Sequence, residues 1–533
     1  MNSTRPTLPP LPDNERTPLI DALLELIQWQ SERIADLEDE IQSLKKTTKK
    51  PKFKSSKMDQ ETEPAQDQEN EDAEKDKPHK KQRIRRKKKV TLPIHEEQVI
   101  QPDVLPTGCR FKGYRDVVVQ DLIIRPHNVR YRLAQYETPQ GSYITGTLPS
   151  GIRGKYWGST LHSYILYQYH HQQVTQPLLL EQLHDLGINL SSGQLNNLIT
   201  EQLDDFHAEK ESLLTAGLRH SSHIHTDDTG ARHAGETGYC THIGNELFAW
   251  FKSTESKSRI NFLTLLQQEK HHHYVFSTEA LEYMTQQKLP RYVRSQLEGA
   301  NFTGNNQAVL TQWLIGKGIT GPRHQRIIIE GALIGGLLKQ GMPANMAVIS
   351  DDAGQFNVFD HALCWIHAER LIHRLIPLND QHKAAVKWVR SQVWAIYKDL
   401  KVYKLSPNAT LKRQIREDFI HLFQTRTTYG TLNQLLKRLG KNEHELLRVL
   451  GRPELPLHNN LSERDIRDYV KKRKISGSTR SENGRKCRDT FASLKKTCRK
   501  HGLSFWEFLR DRTSESKTIP PMAELIQKAA CGL

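Results

Sequence analysis

Three acidic stations constrain this chain more than any other feature: Asp227 in HIHTDDTGARH, Asp351 in MAVISDDAGQF and Glu463 in LPLHNNLSERDIRDYVKKRKISG. The first two stand where short strand-like runs end, and the third falls in the first turn of a basic helix. Carboxylates brought together from two strand ends and a helix suit Mg²⁺, which takes oxygen ligands and keeps positions for water and phosphate. Two such ions can activate an attacking oxygen and stabilise a leaving oxygen at one phosphorus. For each acid alone, capping of turn amides is the ordinary reading; the order and context favour the metal-ligating one. Neighbours compete for the roles. Asp228 and Asp352 adjoin the first two stations, and a one-residue slip along a strand reverses the face. Glu482, in STRSENGRK, competes for the third, but Arg467 lies four residues beyond Glu463 on the same helix face, where it can meet a phosphate.

The balance of charge agrees with a polyanionic partner. Over 533 residues the net charge is +16 and the pI about 9.4, and lysines and arginines displace counterions from phosphate backbones. Composition alone does not separate DNA from RNA or an acidic membrane surface. Six cysteines without a CxxC pair make neither a zinc ribbon nor a disulfide framework, so zinc is not expected and a reducing cytosol fits. The N-terminus has no apolar signal core and no run reaches membrane-spanning length. The expectation is a cytoplasmic protein with no membrane partner.

Along the chain, Thr17 and Pro18 open a helix over 18–47 in which Ile20, Leu23, Ile27, Gln30, Ile34, Leu37, Ile41 and Leu44 recur at steps of three and four. That is a heptad seam, and residues 1–47 are read as a coiled-coil segment that pairs copies of the chain. Residues 48–92 carry an acidic block and then the basic block KPHKKQRIRRKKK, the composition of a disordered linker. Arg85, Arg86 and Lys87 in it are candidate DNA contacts, against the ordinary reading of a solvated tether. Residues 93–150 suggest a small β-rich module and residues 151–218 a helical one. Within the latter, PLLLEQLHDLGINLSSGQLNNLITEQL has the shape of a helix-turn-helix, with Gly187 in the turn and Ser191 capping the second helix. SHIHTDD reads as a first strand, GYCTHIGN and ELFAWFKST as an antiparallel pair, NMAVIS as a fourth strand, and FDHALCWIHAERLIHRL as one long helix. The boundaries that follow are a core over 219–370, a helical insertion over 371–455, the final core helix within 456–515, and a tail over 516–533.

Strand, hairpin, helices, strand and then helix is the order of the ribonuclease H fold, an α/β class in which the first and fourth strands are neighbours. At these residues the chain resembles the insertion sequence 66 family of DDE transposases. Asp227-Asp228-Thr229 is similar to the family's Asp-Glu-Thr. The segment Asp351 to Phe356 is followed by Cys364, Trp365, His367, Ala368 and Arg370, which resemble its Cys-Trp-x-His-Ala-x-Arg motif. Asn459, Asn460, Glu463, Arg464 and Arg467 resemble its Asn-Asn-x-x-Glu-Arg-x-x-Arg signature. The family's cysteine-rich zinc module is reduced here to Cys109. The resemblance implies a DNA transposase with Asp227, Asp351 and Glu463 as catalytic metal ligands for Mg²⁺, with Mn²⁺ as a substitute. It implies double-stranded DNA as element ends and target, at least a dimer on that DNA, small accessory proteins of the same element, and a place at the bacterial nucleoid. Arg464, Arg467, Lys471 and Lys474 are the DNA-contact candidates on the last helix. The rival readings are a metal-dependent nuclease or resolvase without strand transfer, and a domesticated DNA-binding protein without catalysis. Trp365 and His367 read more readily as packing than as DNA-positioning groups, and His271, His272 and His273 as an exposed turn.

Overall fold

A computed structural model describes residues 93–149, 152, 156–267 and 272–532. The heptad segment, the charged linker and with it Arg85, Arg86 and Lys87 lie outside the described residues, as does His271. Between 93 and 149, strand is confined to one hairpin, β1 (Gln135–Glu137) and β2 (Tyr143–Thr145). Within the segment read as β-rich, the apolar runs at 98–104 and 116–126 form no ladder, and Val117, Val119, Leu122 and Ile123 are exposed. Alternating β-branched residues make a sheet only where a partner strand and a covered face exist.

Helices α1 (Gln176–Asp185) and α2 (Ser192–Thr200) form the expected helical hairpin. Gly187 turns between them at a φ of +78°, a conformation that favours glycine. Ser191 and Gln194 close a reciprocal capping box at the start of α2. Leu179 and Leu183 of α1 bury against Leu195, Leu198 and Ile199 of α2. Helix α3 (Asp204–Arg219) then leads to the main sheet.

That sheet contains β3 (His223–Gly230), β4 (Tyr239–Gly244), β5 (Ala249–Thr254), β6 (Ala347–Ser350) and β7 (Asp360–Leu363), in the order β5-β4-β3-β6-β7. The β3–β4 and β4–β5 pairs are antiparallel, while β3–β6 and β6–β7 are parallel. β6 is buried along its whole length, as a central parallel strand must be. β7 is a departure from the long helix expected over FDHALCWIHAERLIHRL: Asp360–Leu363 is a strand, and helix α5 begins only at Trp365. No turn residue separates the two elements, so pairing with β6 decides the boundary.

Helix α4 (Pro322–Lys339) and α5 (Trp365–His373) flank β6 and β7 in sequence. The insertion follows as α6 (Asp380–Leu405), α7 (Ala409–Gln424) and α8 (Gly430–Lys441). The chain then returns through α9 (Asn460–Ser476) and α10 (Glu482–Lys500). On one face of the sheet Ile224, Ile243, Trp250 and Val348 join Leu213 and Leu214 of α3 and Leu333 and Leu337 of α4 in the largest core. On the other, Cys240 and Phe251 pack against Ile466 and Tyr469 of α9. The result is an α/β protein with a mixed sheet between helical layers. Among the described residues no helix is long and apolar enough to cross a membrane.

Candidate active site

Two neighbouring parallel strands set the first two acids. β3 pairs with β6 from His223↔Ala347 to His225↔Ile349. The same offset, carried past the last paired residues, puts Asp227, midway along β3, level with Asp351, which directly follows β6. Level residues on parallel strands point to the same face, here the face that carries α9. The strand alternation also separates each acid from its neighbour. Asp228 turns to the opposite face, where Thr241 Oγ1 donates to it at 2.5 Å and Gln355 Nε2 at 3.0 Å. Asp352 is taken by the insertion, accepting from Arg438 Nε at 3.0 Å and Asn442 Nδ2 at 3.2 Å. Glu482 pairs with Arg485 and His233 and is exposed.

Glu463 enters from the first turn of α9, and the start of that helix is pinned to the sheet. The side chain of Asn459 donates to the Thr226 carbonyl at 2.8 Å, and its Oδ1 meets His225 Nδ1 at 3.0 Å. Its own amide donates to Cys364 Sγ at 3.2 Å. One turn on, His242 of β4 meets Ser462 Oγ at 2.6 Å and Asp465 at 3.3 Å. Helix α5 then supplies two partners for the carboxylate, the Arg370 guanidinium at 2.7 Å and the His367 imidazole at 3.3 Å from Glu463 Oε1. Arg467, on the next turn of α9, stands 3.8 Å from Glu463 Oε2.

Asp227 senses the other two acids. Burial first, then the charge of Asp351 and, less strongly, that of Glu463 push the Asp227 carboxyl from 3.8 up to about 7, against the pull of the Asp228 amide on Asp227 Oδ1. Burial holds the His367 imidazole below its ordinary range, while Glu463 and Asp351 draw it upward. A buried carboxyl beside other negative charges is an environment that a divalent cation relieves, and carboxylate oxygens suit a hard ion.

The remaining expected contacts divide. Lys471 and Lys474 are exposed on α9, as are Arg464 and Arg467. Between them, Lys472 is buried over the Tyr169 ring and donates to the Tyr169 carbonyl, and Arg473 donates to Thr229 Oγ1 and the Gly230 carbonyl. Trp365 is a core residue: its indole donates to the Leu446 carbonyl at 2.8 Å and packs edge-on against Phe419. His367 is different. Its imidazole lies beside Glu463 rather than in a packed core. Asn459 and His242 received no role from sequence; the only signal for Asn459 was its place in the Asn-Asn-x-x-Glu motif.

A family-level match, described as Transposase IS66 family, covers residues 347–487 and so includes Asp351, the Cys364–Arg370 motif and Glu463. A curated relative from Sinorhizobium fredii (strain NBRC 101917 / NGR234), the uncharacterized protein y4jO, is 42% identical over 325 residues, which is 60% of this chain and all of that protein. The chain belongs to the IS66 transposase family. The activity that follows at the level of the family is that of a transposase, an enzyme acting on DNA. In this IS66-family chain, the matched span takes in two of the three acids and the helix that brings His367 and Arg370 to the third.

Proposed function

We propose that this protein is a DDE-type transposase whose catalytic carboxylates are Asp227, Asp351 and Glu463. The observation that carries the reading is the β3–β6 register, which levels Asp227 with Asp351 on the face covered by the Glu463 helix. The strand order and directions of the five-stranded sheet fit a ribonuclease H-like core interrupted by the helical insertion α6–α8.

The three carboxylates would hold Mg²⁺, or Mn²⁺ in its place. When bound, such ions polarise a phosphate and make an attacking oxygen more nucleophilic. The chain's own residues do the positioning. Asn459 fixes the start of α9 against β3, so Glu463 is presented over the sheet at a set depth. Arg370 and His367 orient its carboxylate from the opposite side. Arg467, Arg464, Lys471 and Lys474 continue along α9 as an exposed basic strip that tracks DNA phosphates. The reaction is hydrolysis of a phosphodiester at an element end, followed by attack of the freed 3′-hydroxyl on target DNA. Pairing two ends calls for at least a dimer, for which the heptads of residues 18–47 are suited.

Asp227→Ala and Glu463→Ala are expected to abolish cleavage of an element-end duplex while DNA retention in a gel-shift assay persists. Cleavage surviving either change would remove the assignment. A precut end carrying a 3′-hydroxyl should be joined to target DNA. Cutting without joining would indicate the nuclease or resolvase reading.

A further inference from the structure

At the start of β3, ahead of Asp227, His223 and His225 join Glu246 to bring three ligand atoms within 4.8 Å of one another. His223 and His225 alternate onto one face of the strand, and Glu246 follows Asn245 in the turn between β4 and β5. We propose that these three residues form a site for a borderline divalent ion of the Zn²⁺ class, distinct from the carboxylate site and independent of the role assigned to it.

Two supports hold the ligands before any ion arrives. Asn245 Nδ2 donates to Ser221 Oγ at 2.6 Å and to the His223 carbonyl at 3.1 Å, while its Oδ1 accepts from the Leu247 amide at 2.9 Å. The turn bearing Glu246 is therefore fastened to the start of β3. His225 is held by Asn459, and the geometry fixes its tautomer. Asn459 Nδ2 is committed to the Thr226 carbonyl, so Asn459 Oδ1 faces the imidazole as an acceptor. His225 Nδ1 must carry the proton, which leaves the lone pair on Nε2. A ligating histidine is oriented in this way by an acceptor on its other ring nitrogen.

His225 is 1% exposed, and its Nε2 meets no hydrogen-bond partner among the described residues. A buried nitrogen lone pair left without a donor is costly, and a metal ion is one group that satisfies it. His223 Nε2 stands 3.4 Å from Glu246 Oε2. That matches the ligand-to-ligand edge of about 3.3 Å for a tetrahedron with bonds of about 2.0–2.1 Å. Two imidazoles and one carboxylate suit Zn²⁺ and its first-row neighbours better than Mg²⁺. Glu246 is exposed, so the fourth position faces solvent. Cysteine content gave no reason to expect zinc, because the site uses no thiol. Its place in the fold gives it consequence. It would tie the β4–β5 turn to β3 and, through His225 and Asn459, to the start of the helix that carries Glu463.

The test uses the full chain, stripped with chelator, dialysed into Mg²⁺ buffer and titrated with Zn²⁺ by calorimetry, with metal analysis after gel filtration. One Zn²⁺ per chain is expected. Glu246→Gln and His223→Gln should each weaken binding at least tenfold, whereas Asp351→Asn should leave it unchanged. Co²⁺ in place of Zn²⁺ should give the strong visible absorption of four-coordinate geometry, reduced in Glu246→Gln. Glu246 is exposed, so that variant keeps the metal-free melting temperature and decides the matter even if His223→Gln fails to fold. Absence of stoichiometric Zn²⁺, or binding lost in Asp351→Asn and kept in Glu246→Gln, would overturn the proposal.

Discussion

In protein stripped of divalent cations, the Asp227 carboxyl near pH 7 is poised between its two forms. Burial and the charges of Asp351 and Glu463 raise it from 3.8 to about 7, so between those values the folded chain binds a proton that the unfolded chain has released. The sign follows from linkage: the contribution of this one carboxyl to stability is most favourable at and below about pH 4, falls as pH rises, and levels off above about 7. A shift of about three units corresponds to roughly 4 kcal/mol at about 1.4 kcal/mol per unit. Unfolding entropy of about 2.1 cal/mol/K per residue, over the roughly 430 described residues, converts this to about 4 °C in melting temperature. Asp227→Asn removes the titrating group, so the fall between pH 4 and 7 should shrink by about that amount. Mg²⁺ should reverse the pattern, since it binds the ionised carboxylates: its stabilisation of wild-type protein should be larger at pH 7.5 than at pH 5.5, and small in Asp227→Asn. The assay is differential scanning fluorimetry across pH with chelator or with Mg²⁺. Superimposable pH profiles for wild type and Asp227→Asn in chelator would refute the reasoning, because the three carboxylates would then not be crowding one another.

Other substitutions probe the same architecture. Asp351→Asn should abolish strand cleavage, while Asp352→Asn, which weakens the partly exposed contacts with Arg438 and Asn442, should keep cleavage near wild type and cost no more than about 1 kcal/mol. Asn459→Ala should lower cleavage by about 10–100-fold as a support lost from behind the ligands, with higher Mg²⁺ restoring part of the rate; a rate equal to wild type would show that the helix start is held without it. Trp365→Phe leaves the buried Leu446 carbonyl without its donor and should cost about 1–3 kcal/mol in chemical denaturation, with cleavage by the folded fraction unchanged. Gly336→Ala places a methyl group against the His273 carbonyl and Gln267, and overpacking of this kind should lower stability by about 1–3 kcal/mol.

How far the site could be read without coordinates depended on the reach of each signal. HIHTDD and MAVIS carry period-two and continuously apolar patterns with an acid at the end, and both formed the expected strands. Gly187 and Ser191 punctuate α1 and α2 through local backbone chemistry, and that hairpin formed as read. β7 was hidden because DHAL is short, begins with two polar residues and runs straight into an apolar helix; only β6 alongside makes it a strand. The apolar alternation at 116–126 misled in the opposite direction, having no partner strand. Lys472 and Arg473 looked like their neighbours Lys471 and Lys474, and only the packing of α9 on Tyr169 and β3 drew them away from solvent.

The sequence by itself determined which acids were available, the strand or helix character of the segments that carry them, and the family. Those properties are written in residue type and short-range periodicity, which act within a turn or two of the chain. Tertiary structure decided which acid of each adjacent pair faces its neighbours, because that depends on strand register and on a partner such as Arg438 far away in sequence. It also decided that Asn459, His367 and Arg370 gather around one helix start, and that His225 keeps an unpaired nitrogen. Such facts concern distances between remote segments, and no local pattern of residues encodes them.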